Sequence, residues 1–211
     1  MLQVISRENL PERFQQAGLG LMVCPADQLP EAWVEQIATK SRQPHVMEFE
    51  GHEDVGSEEH PGRFMNVDAY RTWASNKQRM LYTMVNEAVN PDGGDIPDIG
   101  AVVWFGERAN EHAPGREVTM GIRIYGEQDG HDYQQYRGRG LGSALINGTH
   151  QDASRFFPNQ GLWLDLVEGN EPAHALYQNT GYVDLVTVPD LETPGQNRIV
   201  MANDTVFKQA A

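Results

Sequence analysis

A mixed α/β sheet with helices on both faces is the fold class this sequence predicts, and three features of its order predict it. Helix-patterned segments come first, an antiparallel run of strands follows, and two strand and helix alternations close the chain. A chain of 211 residues can bury a sizeable core, so one domain over 1–211 is expected. Within it, 1–77 form a helical and acidic-loop part and 78–203 the sheet core.

The opening helices are Pro11 to Ala17, stopped by Gly18, and Leu29 to Lys40, where Trp33, Ile37 and Ala38 recur at helical spacing. From Gln43 to Arg63 the character changes: Glu48, Glu50, Glu53, Asp54, Glu58 and Glu59 are interleaved with His45, His52 and His60, which marks an acidic, solvated loop. The histidines lie seven and eight residues apart, a spacing that matches neither a helical metal-binding pair nor a zinc knuckle, so no metal is expected. After a helical patch around Val67 to Trp73 the strands begin. Arg79 to Glu87 and the β-branched, aromatic run Ile99 to Phe105 flank a loop with two prolines and two glycines, Asn90 to Asp98, and so form a hairpin. In Glu117 to Tyr125, apolar Val118, Met120, Ile122 and Ile124 alternate with Glu117, Thr119, Gly121 and Arg123, a period of two that puts one face in the core. A helix from Leu141 to Phe157 stops at Pro158. It is followed by a strand Leu162 to Val167, a helix Pro172 to Asn179 ended by Gly181, and strands Tyr182 to Val188 and Arg198 to Met201.

Sixteen Lys and Arg against thirty Asp and Glu give 16 − 30 = −14, which argues against nucleic acid as the main partner, because phosphate neutralisation needs a basic face. The single cysteine, Cys24, excludes a disulfide scaffold and follows Leu21, Met22 and Val23 as a small buried hydrophobe would. Trp73, Trp104 and Trp163 read as core fillers. No membrane association is expected: the longest apolar run, Ile99 to Phe105, has seven residues where a bilayer crossing needs about eighteen or more. Met1 to Leu10 carries Arg7 and Glu8 where an export leader would need an apolar core, so a cytoplasmic location is expected.

The strongest local signal is Arg137-Gly138-Arg139-Gly140-Leu141-Gly142-Ser143, which opens a helix. Closely spaced glycines let the backbone turn tightly and aim several N–H groups at one point, and the helix start adds roughly half a positive charge there. Such a site suits phosphate, and two arginines in an acidic chain strengthen the match to a diphosphate. A P-loop is excluded because no Gly-Lys-Ser/Thr ends the turn. A dinucleotide fingerprint fits poorly, since the twelve polar, turn-rich residues Gly126 to Arg137 separate the strand from Gly138.

Arg137, Gly140 and Gly142 match the Q/R-x-x-G-x-G/A signature of the GCN5-related N-acetyltransferases (GNAT), and the match runs through Ala144 and Leu145. A second block, Leu164, Leu166, Asn170, Ala173, Leu176, Tyr177, Gly181 and Tyr182, resembles that family's strand-Asn-x-x-Ala-x-x-Leu-Tyr-x-x-x-Gly-aromatic pattern gap for gap. The resemblance covers about Gly100 to Met201, and one departure is that eleven residues, Gly126 to Tyr136, stand where the family has only a few. It implies a splayed, mostly antiparallel sheet flanked by helices on both faces, with acetyl-CoA wedged between the fourth and fifth strands of the family fold. The amides of Arg139 to Ser143 would then cradle the diphosphate together with Gly138, Arg137 and Arg139 would answer its charge, and Asn170 would touch the pantetheine arm.

The chemistry sets its own demands. An amine with a pKa near 10 must lose a proton before attacking a thioester, the tetrahedral oxyanion needs a donor, and a thiolate leaving group of pKa about 8.5 is helped by an acid such as tyrosine. Tyr177 matches the family's general acid. Asp165, twelve residues before it on the strand, is the first candidate for the base and Glu127 the second; an ordinary solvent-facing carboxylate is the alternative reading of each. Direct transfer needs no enzyme nucleophile. The expected activity is acetyl-CoA-dependent N-acetylation of a primary amine on a small molecule or peptide, with a cationic acceptor suggested by the acidic Glu48 to Glu59 segment and a homodimer as the possible assembly. The rival is a non-catalytic acyl-CoA-binding sensor or interaction module.

Overall fold

The structure, a computed structural model, describes residues 2–5, 10–43, 46, 62–75, 78–86, 97–125, 140–191 and 193–205. In chain order the elements are β1 (Gln3–Val4), α1 (Glu12–Gln16), β2 (Leu19–Pro25), α2 (Glu31–Ser41), α3 (Val67–Ser75), β3 (Arg79–Asn86), β4 (Asp98–Glu107), β5 (Val118–Ile124), α4 (Leu141–Ala153), β6 (Leu162–Val167), α5 (Glu171–Asn179), β7 (Val183–Pro189) and β8 (Asn197–Asn203). The eight strands form one sheet in the order β1-β2-β3-β4-β5-β6-β8-β7. Every pairing is antiparallel except that of β5 with β6. This is the mixed, mostly antiparallel sheet with helices on both faces that the element order predicts.

The parallel joint positions the site. β5 and β6 are seven and six residues long, yet their ladder consists of Val118↔Leu162 and Thr119↔Trp163 alone. On its other edge β6 pairs with β8 over its whole length, Leu162↔Asn203 to Val167↔Arg198. The sheet is therefore continuous at the start of the parallel pair and opens toward the carboxyl ends of both strands.

The alternation in β5 decides which layer each side chain joins. Val118 and Met120 enter a core with Leu10 and Phe14, Leu141, Leu145 and Ile146, and Tyr177, so α1, α4 and α5 cover this face. On the opposite face Tyr125 joins Trp33, Val34 and Ile37 of α2, Tyr70 and Ala74 of α3, and Trp104. Trp104 lies across Gly121, where any Cβ would collide with its indole, so glycine in this strand is a packing requirement. A small third cluster gathers Ala113, Trp163 and Val200. Trp104 and Trp163 are thus core fillers, and Trp73 packs at the margin of the core beneath α3.

The α2 layer is locked to the sheet by a buried ion pair. Lys40 and Asp98 are 1% and 5% exposed, with Nζ 2.5 Å from Oδ1, and the same ammonium donates to the Ile99 carbonyl at 2.7 Å. Gln36 adds a second tie by accepting from the Ile99 amide at 2.6 Å.

Two local differences from the sequence reading have physical causes. The predicted helix over Leu141 to Phe157 is helical only to Ala153, after which bonds such as Arg155 N to Asp152 O and Phe156 N to Ala153 O tighten the chain into turns. The strand β2 was not anticipated. Leu19, Leu21 and Val23 enter one core and Cys24 the other, so the strand is buried on both sides and shows no alternation. Cys24 is the buried hydrophobe expected, its thiol pushed up to about 11 chiefly by desolvation. The acidic segment between 47 and 61 lies outside the described residues.

Candidate active site

The site is built where the parallel joint opens. α4 starts there with Gly140 as its N-cap, in the left-handed conformation at φ 71°, and a glycine brings no capping side chain of its own. The first helical bond of α4 runs from Ala144 N to Gly140 O at 3.1 Å, so the amides of Leu141, Gly142 and Ser143 precede the helical ladder and point out of its start. No acidic residue stands in this first turn, whereas α1, α2, α3 and α5 open with Glu12, Glu31, Asp68 and Glu171. The positive end of the α4 dipole therefore has no acid of its own first turn beside it.

Gly142 sets how close this turn comes to the gap. A Cβ there would meet Ile124 Cδ1 and both terminal methyls of Leu176 at 3.3 Å, tighter than ordinary packing. The end of β5, the start of α4 and the middle of α5 therefore converge on one glycine. Gly140, Leu141, Gly142 and Ser143 form the N-cap and first turn of α4. Arg137, Gly138, Arg139 and Glu127 lie outside the described residues.

Asn170 follows β6 and caps α5. Its Oδ1 accepts from the Ala173 amide at 3.3 Å, and its own carbonyl accepts from His174 N at 2.9 Å. Two turns on, Tyr177 is 6% exposed, with its ring 5.7 Å from that of Tyr182 and its carbonyl accepting from Tyr182 N at 3.0 Å. Below them the Tyr182 hydroxyl shares a 3.0 Å hydrogen bond with His150 Nε2 and donates to Met120 Sδ at 3.5 Å. Burial holds the Tyr182 phenol well above the usual phenol range and pushes the His150 imidazole down to about 4. These two groups are neutral and form a polar support in an otherwise apolar layer.

Asp165 lies on the other face of β6. Leu164 and Leu166 share the core that holds Tyr177, while Asp165 is half-buried and accepts from Arg198 Nη2 at 2.6 Å. The same guanidinium stands 3.5 Å from Asp190. Asp165 and the core that holds Tyr177 thus lie on opposite faces of β6. On α5, His174 Nε2 is engaged by Asp184 at 2.8 Å, and Glu168 accepts from Asn197 Nδ2 at 2.8 Å, so both are occupied by structural partners.

The sequence reading missed a residue of this neighbourhood entirely. Arg13 of α1 brings Nη1 against Gly140, into the space a Cβ would need. No local pattern could have found it, because its neighbour in space lies across almost the whole of the preceding chain.

A sheet opened at one parallel joint, with a helix start in the opening, is the geometry against which the comparisons with known proteins are set. Residues 133–182, a segment that contains α4, β6 and α5 and ends on Tyr182, match the model of the acetyltransferase (GNAT) family. Over this segment the chain is similar to the GNAT acetyltransferases. No curated protein matches it in sequence. Among solved structures, the ribosomal-protein-S5-alanine acetyltransferase from Vibrio fischeri has 11% identity and a TM-score of 0.58, with 90% of this chain and 96% of that one covered. The spermidine N-acetyltransferase from Vibrio cholerae in complex with CoA and spermine has 14% identity and a TM-score of 0.58, covering 86% and 94%. An acetyltransferase of the GNAT family from Streptococcus pneumoniae has 15% identity and a TM-score of 0.55, covering 87% and 98%. At these identities the likeness is one of fold.

Proposed function

We propose that this chain, acting as one N-acyltransferase domain, moves an acetyl group from acetyl-CoA directly to a primary amine of a small molecule or peptide. The observation that carries the proposal is the coincidence of the β5–β6 opening with the acid-free start of α4, a helix that lies inside the segment matching the family. The donor set suits a diphosphate: amides at a helix start, a left-handed glycine and, in the sequence just before it, Arg137 and Arg139.

In the proposed reaction the amine nitrogen bonds to the acyl carbon, the carbon–sulfur bond breaks, and the amine's proton is removed by a base. Asp165 is our candidate for that base, acting directly or through water, with Glu127 as the second. Tyr177 protonates the departing thiolate. Its position beside Tyr182, on a helix fixed at its start by the Asn170 cap, supports this role, since an acid must be held in place to be effective. The Asn170 side-chain nitrogen remains to donate toward the pantetheine arm.

A cationic acceptor is favoured by the net charge of −14 and the acids between Glu48 and Glu59. A second copy would pair along the outer edge strand β7, where Val183 is 61% exposed, and sedimentation analysis reports on that assembly. The test of function is amine-dependent release of free thiol from acetyl-CoA across a panel of amines. Release that needs an amine and falls in Tyr177→Phe is expected; coenzyme binding without release from any amine would instead favour a non-catalytic acyl-CoA module.

A further inference from the structure

We infer that the buried His150 and Tyr182 pair sets the direction of the Tyr177 phenol, which makes both of them positioning residues for the proposed proton donor. The inference rests on the Tyr177 role proposed above and deepens it.

The end of α5 fixes the backbone of Tyr177. Its carbonyl accepts from Thr180 N, Thr180 Oγ1 and Tyr182 N, each at 3.0 Å, and Asn203 Nδ2 of β8 donates to the Thr180 carbonyl at 3.1 Å. With the backbone held, the direction of the ring is set by what lies against it. One such neighbour is Tyr182, its ring centroid 5.7 Å away and its plane inclined by 60°. The far end of Tyr182 is tied to β5 and to α4, the strand and helix that meet at the opening: its hydroxyl lies 3.5 Å from Met120 Sδ and 3.0 Å from His150 Nε2. His150 in turn packs edge-on against Phe105 of β4, with ring centroids 6.0 Å apart.

Packing alone does not call for this pair, because apolar side chains of similar size would fill the layer without the desolvation of a phenol and an imidazole. The hydrogen bond adds direction. It keeps the Tyr182 ring from sliding, and through that ring it limits the tilt of Tyr177. A proton donor needs this restraint, since misplacing a reacting group by about 1 Å can cost about a hundredfold in rate. Tyr182 itself is suited to hold rather than to react: it is buried, and burial first, then the nearby Tyr177 phenol, keep its own proton in place. Burial also keeps the imidazole neutral. The pair therefore fixes geometry without setting a charge beside the donor.

Steady-state thiol release from acetyl-CoA, with one amine that wild type accepts, tests this in Tyr182→Phe, His150→Leu, His150→Gln, Tyr177→Phe and the Tyr177→Phe/Tyr182→Phe double variant. Tyr182→Phe and His150→Leu are expected to lower kcat about tenfold with KM for acetyl-CoA held within about twofold. His150→Gln, whose amide can still bond the phenol, should recover most of the rate. The double variant should turn over no more slowly than Tyr177→Phe, because a residue acting through Tyr177 has nothing left to position once that hydroxyl is gone. Tyr182→Phe keeps its ring, so it carries the test should His150→Leu fail to fold. An unchanged kcat in Tyr182→Phe, or a further tenfold loss in the double variant, would overturn the inference alone. Full activity in Tyr177→Phe would overturn the donor role with it, and a wild type without amine-dependent release would overturn the functional reading as a whole.

Discussion

His150 and Tyr182 share a 3.0 Å hydrogen bond in the core, joining the second half of α4 to the residue that packs against Tyr177. Burial lowers the imidazole from 6.5 to about 4, so the folded state resists a proton that the unfolded chain accepts. Between those values the unfolded state binds more protons. The contribution is therefore complete above pH 6.5 and lost as pH falls toward 4, by about 3 kcal/mol at most. Urea unfolding across this window should show stability falling with pH in wild type and a shallower slope in His150→Leu. Identical slopes would mean that carboxylates account for the whole of the acid sensitivity.

Lys40 and Asp98 give a prediction about stability. Both are buried, so removing one partner strands a charge in a medium that solvates it poorly, at a cost of about 3–5 kcal/mol. Replacing both by apolar residues removes the pair's desolvation together with its attraction, and the net change is much smaller. Denaturant midpoints for Asp98→Leu, Lys40→Met and the double variant should show the double more stable than either single. A double variant at the sum of the two losses would show that the pair contributes little through its charges.

How far the sequence reached follows from the range of each signal. The period of two in β5 and the glycines at 140 and 142 are local patterns, and the elements they predict are the ones observed. β2 escaped because its Leu19-Gly20-Leu21-Met22-Val23-Cys24 run is buried from both sides, and a strand without a polar face has no alternation to detect. The ends of helices were legible only to within a few residues, as the turns after Ala153 illustrate. Two relationships of the candidate site were beyond reach: Arg13 against Gly140, and Asp165 held by Arg198. Each joins segments that the chain brings together only on folding, so no window of sequence contains both partners.

The Asp165–Arg198 pair separates catalysis from bracing. The two side chains are about a quarter exposed, so their attraction is screened and stability should change by no more than about 1 kcal/mol in Asp165→Asn or Arg198→Gln. If Asp165 takes the amine's proton, Asp165→Asn should lower kcat/KM by about a hundredfold or more and remove the acidic limb of its pH profile. Arg198→Gln should retain most of the activity. Parallel losses in the two variants would mark the pair as a strand brace and shift attention to Glu127.

Gly140 faces two demands that a single substitution can separate. Its φ of 71° costs an alanine roughly 1–2 kcal/mol, and a Cβ also collides with Arg13 Nη1, the far end of a flexible side chain. Both effects act on stability, and because the guanidinium can swing aside, most of the cost falls on the backbone. Gly140→Ala should therefore lose about 1–2 kcal/mol in wild type and nearly as much in an Arg13→Ala background, read from denaturant unfolding of the four proteins of the cycle. A loss that largely disappears once Arg13 is removed would place the effect in the collision instead of the left-handed φ.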